Sequence, residues 1–255
     1  MKKETKYKKE PMMEKEETIY QKLRQDILLL KLKPGVILSI KDITDQYGYG
    51  RSPVRDAIIS LSKEYLITIL PQRGTMISKI DYEKANNEQF LRQCVEENVM
   101  LEFMATANVT AINEMELSLL RQKEIQKIND IRLFIAEDNE FHAIGYKYTK
   151  RSYCNQVLAG LSGDYLRMRL MLMTHCDGMK RIIEQHEQLL STIKVRDAKN
   201  MKKVLAEHLT IRAKEVNDIV KIYPDVFNME KQEIIPEEDD KTNDFLYETK
   251  LKFFS

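Results

Sequence analysis

Asp138 and His142 stand four residues apart in Phe134-Ile-Ala-Glu-Asp138-Asn-Glu-Phe141-His142-Ala-Ile-Gly145, so on a helix they share one face. Phe134, Phe141 and Gly145 fall on that face and mark it as inward. His186 lies on the stripe Ile182–His186–Leu189–Ile193, and His208 on Val204–His208–Ile211. Three helices would thus each aim an imidazole at one interior, and one adds a carboxylate. A buried Asp without a partner is costly, and a divalent cation would satisfy all four groups at once. Taken singly, each histidine is an ordinary core or surface residue, and the Asp-x-x-x-His spacing arises by chance. The metal reading rests on the shared inward placement. His175, near a helix end beside Cys176, reads as a surface or capping residue.

A second set is basic. Arg51 and Arg55 flank Ser52-Pro53, a helix-start signal in which a hydroxyl caps and Pro takes the first helical position. The helix that follows buries Val54, Ala57, Ile58 and Leu61, spaced i, i+3, i+4, i+7, and both arginines can point away from that face. Arginine fits guanine O6 and N7 as a bidentate donor, and a helix N-terminus attracts phosphate. Arg73-Gly74 would form the tip of a hairpin able to enter a minor groove, where Gly lets the backbone approach closely. Lys41, at the start of the preceding helix, can reach a phosphate or a base. The bland alternative is that these are solvated charges on a small helical protein.

The elements that would position these residues follow from periodicity. A helix is expected from about Thr18 to Lys31, with Tyr20, Leu23, Ile27 and Leu30 on one face, ended by Pro34-Gly35. Ser39-Ile-Lys-Asp42 has the form of a capping box and opens a short helix to about Tyr47. After the Arg51–Arg55 helix, Leu66–Leu70 and Thr75–Ser78 flank Pro71-Gln-Arg-Gly74 as a β-hairpin. Three helices and a hairpin make a winged helix-turn-helix. From Tyr82 to Ile222 only helices are expected, over 83–106, 113–128, 131–148, 155–174, 179–194 and 197–221. The fold class is therefore mainly α: an N-terminal winged helix-turn-helix followed by an all-α helical bundle. The expected division is a disordered leader 1–16, a DNA-binding domain 17–80, an all-helical ligand- and metal-binding domain 81–222, and a tail 223–255, poorly ordered or docked.

Composition agrees. With 8 Gly, 6 Pro and no Trp, the chain favours long helices over a loop-rich β fold. Its net charge of +1 hides an asymmetry: residues 1–80 carry 16 Lys and Arg against 10 Asp and Glu, the remainder 25 against 30, so only the front suits a polyanion. The three cysteines have neither metal-ligand nor redox spacing and read as reduced thiols. The basic start lacks the apolar segment of a signal peptide, and no apolar run approaches the ~20 residues of a membrane helix. A cytoplasmic protein without membrane contact is expected.

The run Tyr20-x-x-Leu23-Arg24…Lys33-Pro-Gly35…Tyr47-Gly48…Arg51-Ser-Pro-Val-Arg55-Asp-Ala57…Leu66…Pro71-x-Arg-Gly74 resembles the DNA-binding domain of the GntR family of bacterial transcription regulators. The resemblance implies that Arg51 and Arg55 read bases, with Ser52 beside them, that Lys41 assists, and that Arg73-Gly74 contacts the minor groove. One departure is Tyr49-Gly50, where the family usually carries Val-Ser or Val-Thr, so a phosphate-holding hydroxyl is missing.

Leu91-Arg92-x-x-x-Glu96, Asp138-x-x-Phe-His142, Glu184-Gln-His186, Arg196-Asp-Ala198 and Glu207-His208 likewise resemble the FCD effector domain of FadR-type members of that family. This implies Asp138, His142, His186 and His208 as ligands of a divalent ion (zinc, nickel or manganese), with a small organic acid completing the coordination. Arg92 and Arg169 are the candidate ligand-binding arginines. Arg92 is open equally to an i, i+4 ion pair with Glu96, and Arg169 shares a stripe with Leu158, Leu161 and Tyr165. Lys150-Arg151 stands where relatives tend to have Gly-Asn.

Together these readings point to a ligand-responsive transcription regulator, most simply a repressor, that binds an operator palindrome as a homodimer. A metal-dependent hydrolase and a DNA-binding protein without an effector are the rivals.

Overall fold

A computed structural model describes residues 17–161, 163–175 and 178–228. The expected leader, most of the expected tail and the side chain of His175 lie outside the described residues.

The head contains α1 (Ile19–Leu28), β1 (Ile37–Leu38), α2 (Ile40–Tyr47), α3 (Arg51–Lys63), β2 (Ile67–Leu70) and β3 (Gly74–Ile77). Capping boxes start two of its helices, Thr18 with Gln21 for α1 and Ser39 with Asp42 for α2. Leu23 and Ile27 of α1, Ile43 of α2, and Val54, Ala57, Ile58 and Leu61 of α3 join Leu66, Ile67 and Ile77 in one core. The three strands are antiparallel in the order β1-β3-β2. β1 was not expected, because two residues are too few to show alternation. It explains Gly74, which has φ +115°, and a Cβ there would lie 2.8 Å from the Leu38 carbonyl oxygen of β1.

The expected start of α3 needs correction. Gly50 is the N-cap, Arg51 takes the first helical position, and no side chain caps the helix. Ser52 is therefore an exposed second residue of the helix and not its cap. Pro53 is tolerated there because the first-turn N–H groups have no intrahelical acceptor. The first i to i−4 bond runs from Val54 N to Gly50 O.

The body contains α4 (Tyr82–Thr106), α5 (Val109–Ile128), α6 (Ile131–Tyr148), α7 (Ser152–Leu161), α8 (Gly163–His175), α9 (Gly178–Val195), α10 (Ala198–Leu209) and α11 (Ala213–Ile222), then a 3-10 turn, Pro224–Val226. Two expected helices are each divided. The 155–174 span separates into α7 and α8 around residue 162, and α8 begins against the head: a Cβ on Gly163 would lie 2.9 Å from Leu66 Cδ2. The 197–221 span breaks at Thr210-Ile211-Arg212, where side chains replace the helical bonds. Ile211 N–H donates to Gln89 Oε1 at 3.0 Å, and Tyr165 O–H donates to the Leu209 carbonyl at 2.9 Å. Phe134, Phe141, Ile182, Leu189 and Leu205 lie in the main body core, with Phe103 and Met115 from α4 and α5.

Head and body meet at the start of α8. The guanidinium of Arg167, wholly buried, donates to the Ser78 carbonyl at 2.6 Å and pairs with Asp164. Asp164 also accepts from Asp81 N at 3.2 Å and pairs with Lys84 at 2.9 Å. Arg24 of α1 adds a bond to the Ala159 carbonyl at 3.0 Å.

Candidate metal centre and nucleic-acid interface

Asp138 and His142 of α6, His186 of α9 and His208 of α10 converge: one donor atom from each lies within 4.8 Å of every other. The three Nε2 atoms are closest, 2.9 Å apart for His142 and His208, 3.2 Å for His142 and His186, and 3.4 Å for His186 and His208. Asp138 Oδ1 lies 3.6 Å from His186 Nε2 and 3.9 Å from His208 Nε2. All four side chains are at most 2% exposed.

Each ring is oriented from its other nitrogen. His142 Nδ1 abuts the Glu96 carboxylate, His186 Nδ1 faces Gln122 Oε1 at 2.7 Å, and His208 Nδ1 faces Gln185 Oε1 at 3.2 Å. Oxygen acceptors there place the ring proton on Nδ1 and leave Nε2 a bare lone pair. Three lone pairs then face one another, and Asp138 Oδ1 is buried with no hydrogen-bond partner among the described residues. A cation between them satisfies every one. Ligand nitrogens ~2.1 Å from a common ion sit ~3.0 Å apart at right angles and ~3.4 Å at the tetrahedral angle, which matches the observed spacing. The donor set fits a divalent metal.

Electrostatics favour the same form. Burial would raise the Asp138 carboxyl, but the Arg169 guanidinium, the largest opposing charge, holds it well below the carboxylate range. Burial would raise Glu96 as well, and His142 and Arg92 bring it to about 2. Burial pushes His186 down to about 3 and His208 well below its ordinary value, the neighbouring imidazoles helping in both. Neutral imidazole is the metal-binding form.

The two candidate arginines differ. Arg169 donates to Asp138 Oδ2 at 2.6 Å and lines a cavity of about 40 Å3 beside His208, together with Tyr165, Gln185, Arg181, Arg212 and Glu215. The stripe expected for it holds only as far as Tyr165, because Leu158 and Leu161 belong to the separate helix α7. Arg92 donates through Nε to Glu96 at 2.9 Å, the i, i+4 pair, and is not part of the cavity wall. Sequence reasoning missed Gln122, Gln185, Arg181 and Arg212. Gln122, Gln185 and Arg181 are polar helix residues and Arg212 lies just before α11, and only tertiary placement distinguishes them. Glu96 was visible within its motif but not as the partner of His142.

On the head, Lys41, Arg51, Ser52, Arg55 and Arg73 are all exposed, and Gly74 is half-buried at the wing. Arg51, Ser52 and Arg55 of α3 are exposed, while Val54, Ala57, Ile58 and Leu61 of the same helix are buried. Arg51, Arg55 and Arg73 form no ion pair with any described residue. The N-cap Gly50 has no side chain, so no side-chain cap competes for the first-turn N–H groups of α3. Such N–H groups bind phosphate readily.

Residues 15–77 match the family of bacterial regulatory proteins, gntR family, and residues 90–210 match the FCD domain. The chain is 27% identical to the HTH-type transcriptional repressor RspR of Escherichia coli (strain K12), over 83% of this chain and 93% of that one. It is also 27% identical to the gluconate operon transcriptional repressor of Bacillus licheniformis, over 77% and 83%. Its fold is similar to that of E. coli McbR/YncC, with a TM-score of 0.66 at 17% identity, covering 80% of this chain and 96% of that chain. With a gntR-type head and an FCD body in that order, and relatives that are regulators along most of its length, the chain belongs to the GntR family of bacterial transcription regulators, in the group that carries an FCD domain.

Proposed function

We propose that this regulator is a repressor that binds an inverted-repeat operator as a homodimer and is controlled by a small organic acid held beside a divalent cation. The observation that carries the reading is the convergence of three imidazole Nε2 atoms and Asp138 Oδ1, in a body joined to a head whose Arg51, Arg55 and Arg73 pair with no described residue. Asp138, His142, His186 and His208 would hold zinc, nickel or manganese, and the acid would lie in the cavity against Arg169. Arg92 would act at one remove, through Glu96. Two relatives named as repressors support the sign of regulation.

On this reading residues 17–80 are the DNA-binding head and 81–222 the sensing body. Arg51 and Arg55 meet base edges, and Ser52 and the α3 N-terminus meet phosphate. Lys41 supports them, and Arg73-Gly74 enters the minor groove. Two-fold protein symmetry matches a palindrome. The acid shifts DNA affinity only as far as it prefers one placement of the heads over the other. DNA and a metabolite as partners imply a cytoplasmic protein, and among the described residues no helix is long and apolar enough to cross a membrane.

Elemental analysis and native mass spectrometry of protein purified without chelators should find one divalent ion per chain. Selection from random duplexes should return an inverted repeat. Protein free of metal, and unable to take up zinc, nickel or manganese, would sink the sensing half of this reading. A selected site without two-fold symmetry would sink the dimer.

A further inference from the structure

α11 and the turn after it run from the cavity mouth to the joint between head and body, beyond the end of the FCD match at residue 210. At the start of this segment both terminal nitrogens of Arg181 donate to Glu215, one of them at 3.2 Å, and Arg212 lies 3.9 Å from the same carboxylate. All three residues line the cavity. The middle of the segment buries Val216 and Ile219 in one cluster with Tyr165, Met168 and Leu172 of α8. At its end Phe227 is fully buried and forms a parallel bridge with Ile80. Ile80 N–H donates to the Val226 carbonyl at 2.9 Å, and Asn228 N–H donates to the Ile80 carbonyl at 2.9 Å. Ile80 belongs to the short link between β3 and α4, the covalent path from head to body. The Asp225 carbonyl also presses on the head, 3.3 Å from where a Cβ on Gly35 would stand.

We propose that α11 and its turn are a strap that couples the cavity to this link, and that the controlling ligand carries a second acidic group which takes Arg181 and Arg212 from Glu215. The proposal rests on the cavity being the ligand site, and not on the identity of the metal. At about 40 Å3 the cavity has room for only a few waters, so an organic acid seated within it gains space when a side chain at its mouth moves. The Glu215 carboxylate, 16% exposed at the cavity rim, is the group that can leave. Exchanging one carboxylate for another on the same arginines keeps the local charge constant, so the swap costs little electrostatically. Its structural consequence falls on α11, whose N-cap Arg212 makes no side-chain capping bond. A ten-residue helix is marginal on its own and depends on tertiary anchors. Loss of the Arg181–Glu215 anchor loosens the first turn, and the Phe227–Ile80 bridge lies at the other end of the same short segment.

Hydrogen exchange on the full chain tests the strap without any ligand. Glu215→Gln should speed exchange of the Ile80 and Asn228 amides by about tenfold or more, while the α5 amides keep their protection. Unchanged exchange at both amides overturns the strap. Phe227→Leu, which leaves the cavity intact, should give the same acceleration, and its failure to do so also counts against the strap. Calorimetric titration of the parent with malonate, succinate and glutarate, against acetate and propionate, tests the second acidic group. At least one diacid should bind more tightly than the monoacids and reproduce the exchange change. A series in which no diacid does so overturns that part. If no acid binds while Glu215→Gln still frees the two amides, the cavity reading fails and the strap stands.

Discussion

Replacing Glu96 by Gln tests whether the imidazoles are aimed for a cation or merely packed. Glu96 is 1% exposed and divides its carboxylate between two donors, with Oε1 toward His142 Nδ1 and Oε2 toward Arg92 Nε at 2.9 Å. An amide of the same size offers one oxygen and one NH2 group. Whichever donor faces the NH2 loses a charge-assisted bond, at a cost of about 1.5–3 kcal/mol. Burial would raise the Glu96 carboxyl, but His142 and Arg92 hold it at about 2, below its ordinary value. Because the folded value is the lower one, this stabilisation is complete above pH 4.5 and is lost as pH falls through about 2. The variant should therefore unfold about 5–10 °C below the parent at neutral pH without metal, and the difference should shrink in acid. With His142 no longer fixed in its Nδ1–H form, zinc affinity should fall by about 10–100-fold. Competition against a chelator of known affinity reads the second effect, and thermal unfolding in metal-free buffer reads the first. A variant that binds zinc within about threefold of the parent would show that Glu96 does not set the ring, and the tautomer argument for the metal would fail with it.

Arg55→Ala should weaken operator binding by about 1–3 kcal/mol and relax selection at one base position, read by binding to single-base operator variants, with metal content unchanged. Gly74→Ala must adopt φ +115° and meet the Leu38 carbonyl at 2.8 Å, so stability should drop by about 2 kcal/mol or more and DNA affinity should fall. Thermal unfolding and binding together would show both. Burial raises Glu88 to about 7, with Asp164 adding to it and the Tyr165 N–H and Lys84 opposing. A carboxyl whose folded value exceeds its unfolded value keeps its proton in the native state, so its contribution to stability declines as pH rises from 4.5 through about 7. Urea midpoints across that range should show the decline in the parent and a flatter profile in Glu88→Gln.

What could be read in advance was whatever repeats along the chain. The buried stripe of α3 and the inward faces carrying Asp138, His142 and His186 follow from spacing, because burial imposes the helical period on sequence, whereas the stripe expected for His208 loses Ile211, which lies beyond the end of α10. The capping box of Ser39 was legible for the same local reason. Features set by distant partners were not legible. The apolar period runs on through residues 210–212, and the helix ends there because Gln89, 122 residues away, accepts the Ile211 N–H, and Tyr165 takes the Leu209 carbonyl. The N-cap of α3 was misplaced because Ser-Pro is a local signal, and the helix starts earlier, at a glycine that leaves its first-turn donors open.

The same contrast explains the site. Asp138, His142 and His186 sit on regular stripes and His208 lies near the end of α10, but the groups that orient them, Glu96, Gln122 and Gln185, are polar residues with no periodic signature. The break after α10 sets His208, one residue before the end of that helix, at the edge of the cavity and frees α11 to turn away toward Ile80. A continuous helix through 197–221 would have had no such turn, and no segment to join the cavity mouth to the link between head and body. The long-range hydrogen bonds that defeat prediction from periodicity are thus the ones that give the helical body a route to its DNA-binding head.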